Sequence, residues 1–96
     1  MKKPKIVWNT TAKQTLEAIS IDYQQKSGQG ANKILKEIIK TLEEIRFVDQ
    51  YQKDLIQPEF RRIIVRHYKI IYHSENDTIF ILRIFDTRQD PNKQHL

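Results

Sequence analysis

The spacing of apolar residues in the first half of the chain predicts one strand and two helices. Residues 5–8 are β-branched or aromatic, which is typical of a short strand. A first helix follows, since apolar residues recur on one face of a 3.6-residue period at Ala12, Leu16, Ile19 and Tyr23. A second helix is predicted over 31–46 by the widest apolar stripe in the chain, formed by Ile34, Leu35, Ile38, Ile39, Leu42 and Ile45.

Local signals predict how these helices begin and end. Thr11 and Gln14 have the spacing of a capping box, in which each side chain satisfies a backbone N–H of the first turn. Gly28 can take the left-handed conformation that ends a helix. Because only about four residues separate the two helices, we expect an antiparallel helix hairpin.

The second half predicts a loop and then three strands. The loop covers about 47–58, and the strands cover 60–66, 68–74 and 78–85, with a polar turn at 75–77. Helices grouped beside strands indicate an α+β fold with the hairpin packed on one sheet face. Basic residues are then expected on the other face. We expect residues 1–96 to form one domain, with an ordered core of about 5–90 and a tail at 91–96.

Length and composition limit the class of protein. The 96 residues are 39% hydrophobic and 30% charged, which is typical of a soluble globular domain. Apolar runs are far shorter than the roughly 18 residues of a membrane span, and no signal peptide is apparent, so a cytoplasmic location is predicted. The absence of cysteine excludes disulfides and thiolate chemistry.

The charge of the chain points to its partners. The formal net charge is +5, and between Phe60 and Ser74 there are four Lys or Arg residues and no acid. A basic segment of this kind favours a phosphate polymer or an acidic partner. The alternative is that these residues only solvate one face of the sheet.

Several kinds of chemistry have no support in the sequence. Neither glycine lies in a phosphate-binding loop, and no serine lies in a nucleophile elbow. The three histidines lack the spacing of a metal site, so neither a metal nor a cofactor is expected.

What remains is a basic site near the sheet. Arg62 and Arg66 are four apart on one predicted strand, and Lys69 and His73 are four apart on the next, so each pair should share a face. The candidate anion-binding residues are Arg61, Arg62, Arg66, Lys69, Arg88 and Lys93. Such residues can hold phosphates or stabilise the charge of a phosphodiester under attack, with His95 as a possible acid or base.

The order of elements resembles that of the RelE/ParE superfamily of bacterial toxins. The resemblance spans about residues 5–93 and depends on residues 6–8, the first-helix stripe, and the segments 68–72, 77–85 and 87–91. It implies a growth-inhibiting toxin of a type II toxin–antitoxin module, a class associated with plasmid stabilisation. It also implies a cognate antitoxin with an acidic segment, in a hetero-oligomer with the toxin. The short apolar runs separately predict no membrane partner.

The superfamily divides into two mechanisms. RelE-like members cut mRNA on the ribosome, and the resemblance would assign that chemistry to Arg62, Lys69, Arg88 and His95. The set is incomplete, because Ile64 and Gln94 stand where the family has a second lysine and a tyrosine. ParE-like members inhibit DNA gyrase and need no catalytic set. The helix hairpin and the ending at 88–91 are more similar to this branch, so gyrase inhibition is the leading interpretation.

Two alternatives lie outside toxicity. The same arginines could serve a non-catalytic module that binds nucleic acid, with steep salt dependence. The chain could also be a structural partner of a second protein, in which case its overexpression alone would leave growth unchanged.

Overall fold

The computed structural model describes residues 3–27 and 30–96. Within them the chain forms strand β1, helices α1 and α2, strands β2, β3 and β4, and a short 3-10 helix. Their bounds are Lys5–Trp8, Thr10–Ser27, Gly30–Glu43, Arg61–Val65, Tyr68–Glu75, Thr78–Asp86 and Pro91–Lys93. The predicted α+β order of strand, two helices and three strands is confirmed. The second helix is shorter than predicted, and the Lys3 ammonium donates to the carbonyl of its last residue, Glu43, at 2.9 Å.

The four strands form one mixed sheet in the order β1-β4-β3-β2. Strands β2, β3 and β4 are an antiparallel meander, as predicted, and β1 pairs in parallel with β4 from Lys5↔Thr78 to Trp8↔Ile81. A parallel pair needs a long crossover connection, and the helix hairpin lies within the chain between these two strands. The hairpin therefore packs against one face of the sheet.

The turn between β3 and β4 explains their register. Asn76 and Asp77 have φ of 50° and 62°, so both are left-handed, as in the two-residue turns that suit the twist of a hairpin. Asn and Asp tolerate this conformation better than other residues with a Cβ. The turn pairs Glu75 with Thr78 and sets the register of the whole β3–β4 ladder.

A bulge in β4 explains why its apolar residues do not alternate cleanly. Ile71 pairs with Arg83 while Tyr72 pairs with Ile81, so Leu82 is an extra residue on β4. Ile79 and Ile81 precede the bulge and Ile84 follows it, and all three belong to the core. The bulge reverses the parity of the strand and keeps its apolar residues on the helix side.

The core lies between the helices and one face of the sheet. Its helical members lie at the spacing that the apolar stripes predicted, and its strand members come from all three strands of the meander. The residues are Ala12, Ile19, Ile34, Ile38, Leu42, Ile45, Ile63, Val65, Tyr68, Ile70, Tyr72, Ile79, Ile81 and Ile84. Tyr72 is fully buried and its hydroxyl donates to the Val48 carbonyl at 2.8 Å.

The predicted cap of the first helix was wrong. The Asn9 side chain accepts the Ala12 N–H at 2.8 Å, so Asn9 is the N-cap and the helix begins at Thr10. Thr11 lies inside the first turn, where its carbonyl accepts the Thr15 hydroxyl at 3.0 Å. The proposed cap at Gly28 lies outside the described residues.

The chain beyond β4 packs back onto the loop that precedes β2. The Gln57 side chain donates to the Gln94 carbonyl at 3.3 Å and accepts the Leu96 N–H at 3.2 Å. Gln94 is only 5% exposed, so the segment expected to be a tail is anchored to the loop. Within 3–27 and 30–96, none of the helices is both long and apolar enough to cross a membrane.

Candidate functional site

The sheet has a second face, turned away from the helices, which we call the outer face. Tyr68, Ile70 and Tyr72 belong to the core, so the residues that alternate with them on β3 lie on the outer face. Lys69 and His73 therefore share this face, as predicted, and Arg62 joins them from β2.

Arg66 does not share a face with Arg62, so that part of the predicted cluster is wrong. β2 ends at Val65, and Arg66 lies in the turn to β3 with φ of 55°. Its guanidinium makes a two-pronged pair with the Glu37 carboxylate of α2, at 2.7 Å for both bonds. This pairing lowers the pKa of Glu37, mainly through the hydrogen bond. Arg66 thus joins the strand turn to a helix.

Lys69 lies on the outer face but is buried beneath the loop. Its ammonium is 2.9 Å from the Asp54 carboxylate, and the two side chains are 5% and 1% exposed. The other oxygen of Asp54 accepts the Gln57 N–H at 2.8 Å, and the ring of Phe85 lies 5.8 Å from the ammonium. Burial alone would raise the pKa of Asp54, but these hydrogen bonds and the lysine charge lower it.

Arg88 is paired with a carboxylate two residues before it. Its Nε and Nη2 atoms donate to the two oxygens of Asp86 at 3.0 and 2.7 Å. This contact, with the Arg88 N–H at 2.9 Å, lowers the pKa of Asp86 to about 2. The Arg88 side chain is 69% exposed, so its remaining donors face solvent.

Arg61 and Arg62 are fixed by backbone oxygens instead of carboxylates. Arg61 Nη1 donates to the Tyr51 carbonyl at 2.7 Å, and Arg62 Nη1 donates to the Lys53 carbonyl at 2.6 Å. Throughout the described part of the chain, no carboxylate lies within 4.0 Å of either guanidinium. These two arginines therefore keep their positive charge uncompensated at the start of β2.

The remaining predicted residues are exposed side chains on β3 and in the C-terminal segment. His73 is exposed, with Nε2 3.8 Å from a Glu75 carboxylate oxygen. Lys93 ends the short 3-10 helix and His95 follows it, and both are exposed. The structure does not gather Arg62, Lys69, Arg88 and His95 into one open site, because Lys69 is covered and Arg88 is bound to Asp86.

A second polar cluster, which the sequence did not indicate, lies where the end of α1 meets the β2–β3 turn. The rings of Tyr23 and His67 are 6.5 Å apart and nearly parallel, and His67 and Tyr68 are 4.2 Å apart. Burial and a hydrogen bond with Tyr23 raise the pKa of the Tyr68 phenol to about 12. In residues 3–27 and 30–96, no group of three His, Asp or Glu could hold a metal ion.

Sequence reasoning missed Asp54, which neutralises Lys69 on the outer face, and Lys53, which lies opposite Arg61. Asp54 is one of two acids, with Asp49, in a segment without periodicity, so only its long-range contact with Lys69 shows its role. A weak signal did exist, because an Asp side chain in a loop can accept the backbone N–H of a residue that follows it, and Asp54 lies three residues before Gln57.

Comparison with known proteins agrees with the fold. The family model described as the ParE toxin of the type II toxin–antitoxin system, parDE, matches residues 6–91. A solved structure described as the chromosomal ParDE TA system from P. aeruginosa has a similar fold. The TM-score is 0.73 at 21% identity, and the alignment covers 84% of this chain and 92% of that one. No curated protein sequence matches. With the family model spanning nearly all of the described fold, this chain belongs to the ParE family of toxins of type II toxin–antitoxin systems.

Proposed function

We propose that this toxin arrests growth by inhibiting DNA gyrase, in the cytoplasm, and does not cut mRNA. The observation that carries the proposal is the buried Lys69–Asp54 pair, at 2.9 Å. Lys69 stands at the position where a RelE-like nuclease would need an exposed cation beside the scissile phosphate. A cation that is covered and neutralised cannot stabilise the charge of that transition state.

The rest of the RelE-like set is weak for the same physical reason. Arg88 already donates to both oxygens of Asp86, so contact with a phosphate would have to compete with that carboxylate. Position 64 carries an exposed isoleucine instead of a second lysine. These features support a surface that binds a target, with Arg62, Arg88 and Lys93 among its contacts.

Two assays separate the mechanisms. In a supercoiling reaction with purified gyrase, relaxed plasmid and ATP, we expect the toxin to block supercoiling. In a cell-free translation reaction analysed by primer extension, we expect the mRNA to stay intact. Cuts within codons that require ribosomes, together with normal supercoiling, would overturn the proposal in favour of the RelE-like alternative.

The proposed contacts can be tested in cells. Arg62→Ala should reduce growth arrest, because it removes an uncompensated charge from the outer face. Lys40→Ala is the matched control, since it removes one exposed positive charge from α2. Equal toxicity of both variants and the wild type would move the target surface elsewhere.

We also propose that a cognate antitoxin neutralises this chain through an acidic segment that covers the same cations. Arg61 and Arg62 offer charge without a carboxylate partner, which an acidic peptide would supply. Co-expression of the adjacent open reading frame should restore growth, and light scattering on the purified pair should give a hetero-oligomer. Persistent arrest and a toxin that elutes alone would contradict this.

A further inference from the structure

A recess lies at the end of the sheet where β2 begins and β3 continues. The β2–β3 pairing stops at Arg61↔Tyr72, so His73–Glu75 pair with β4 alone. The recess has a volume of about 220 Å³ and lies beside the part of β3 that β2 does not cover. Its lining comes from the loop, β2 and β3 and includes Lys53, Phe60, Arg61, His73 and Ser74. An uncovered strand edge offers backbone hydrogen-bonding groups to a ligand.

Two positive charges face each other at this recess. Lys53 and Arg61 form an isolated antiparallel bridge, so they are directly opposite across the backbone. Like charges in that position repel and destabilise the pair. In the described ranges, no carboxylate comes within 4.0 Å of either charge. Two acids do lie near the recess: Glu59 is part of its lining, and Glu75 lies 3.8 Å from His73.

We propose that this recess binds a phosphate group of a single-stranded nucleic acid. Its donors come from three separate elements, the loop through Lys53, β2 through Arg61 and β3 through His73 and Ser74. Donors on several sides match a tetrahedral phosphate better than a planar carboxylate, which a single arginine fork satisfies. The half-buried Phe60 at the same recess gives a neighbouring base a ring on which to stack.

The arginine is held ready for this contact. Arg61 Nη1 is fixed by the Tyr51 carbonyl at 2.7 Å, which orients the guanidinium and leaves its other donors available. The adjacent Arg62 is held by the Lys53 carbonyl and adds to the local positive potential. This inference does not depend on gyrase as the target, because it concerns a contact of the toxin with nucleic acid itself.

The test is a titration of the full chain with oligothymidylate at several salt concentrations, with two-dimensional amide NMR spectra recorded at each step. We expect the resonances of Lys53, Arg61, His73 and Ser74 to shift together. The log–log salt dependence should have a slope of about −0.7 for each neutralised phosphate. Lys53→Gln should bring that slope closer to zero by about 0.7, whereas Lys40→Gln on α2 should leave it unchanged.

A gain of binding provides a control that does not depend on damage to the fold. Glu59→Gln removes the carboxylate from the lining, so it should tighten oligothymidylate binding while the spectrum stays otherwise native. The proposal is overturned if Lys53→Gln and Lys40→Gln weaken binding equally. It is also overturned if oligothymidylate shifts none of the recess resonances even at low salt. It is also overturned if a glutamate peptide shifts these resonances and oligothymidylate does not. The supercoiling assay does not measure oligothymidylate binding, so gyrase inhibition and nucleic-acid binding at the recess can fail independently of each other.

Discussion

The buried Lys69–Asp54 pair should be far more costly to break than to replace. Asp54→Asn leaves Lys69 charged and buried without a carboxylate partner. Asparagine has nearly the same shape as aspartate, so the packing around the pair is kept. Removing one partner of a buried pair leaves an uncompensated charge, so we expect a loss of about 3–5 kcal/mol.

The double variant Asp54→Asn/Lys69→Met should recover most of this loss. It removes both charges and keeps an acceptor for the Gln57 N–H, so we expect a net cost below about 1.5 kcal/mol. Urea unfolding followed by circular dichroism gives the free energies, and Asp49→Asn, an exposed acid of the same loop, is the control. Single variants that each cost under about 1 kcal/mol and add without coupling would refute the burial argument.

The pH dependence of stability in Lys69→Met gives an independent check of the Lys69–Asp54 pair. In the wild type the pKa of Asp54 is lowered, so the unfolded chain takes up the proton first. This contribution to stability is present at neutral pH and is lost as the pH falls through the folded pKa. Lys69→Met removes the hydrogen bond and the charge that lower the pKa of Asp54 and leaves its burial unchanged, so that pKa should be higher than in the wild type and less stability should be lost as the pH falls. Parallel pH profiles for the two proteins would contradict the assignment.

Three further predictions concern the fold. Asn9→Ala removes the cap of α1 and should cost about 1 kcal/mol in urea unfolding, whereas Thr11→Ala should cost little. Asp86 has a pKa lowered to about 2 by Arg88, so its contribution to stability should disappear only as the pH falls towards 2. The acid-unfolding curve of Asp86→Asn should lack that component. Tyr68 should ionise only near pH 12, so Tyr68→Phe should remove the step near pH 12 from a spectroscopic phenol titration.

The order and type of the elements could be predicted because they depend on local patterns. The stripe on α2 places Ile34, Ile38 and Leu42 on one face whatever the rest of the chain does, and all three are in the core. The turn at Asn76 and Asp77 likewise carries its own conformational preference. Such features need no knowledge of a distant partner.

What could not be predicted depends on pairs that are distant in sequence. Nothing near β1 indicates that it pairs in parallel with β4, more than 70 residues later in the register Lys5↔Thr78. Thr11 and Asn9 are both good caps, and the choice depends on where β1 releases the chain. The face of Arg66 was mispredicted because β2 ends at Val65, one residue before the end of the predicted strand, and the Glu37 carboxylate of α2 binds the side chain.

The difference between local patterns and distant contacts also explains why fewer residues remain in the candidate site than the sequence predicted. From the sequence, four cations between residues 60 and 74 look equivalent, because net charge counts each of them once. In the fold, Asp54 buries Lys69 and Glu37 holds Arg66, while Arg61 and Arg62 bond only to carbonyl oxygens. A carbonyl oxygen orients a guanidinium without cancelling its charge. The capacity of the sheet to attract an anion therefore depends on which partners the rest of the chain supplies to each cation, and it is concentrated at the start of β2.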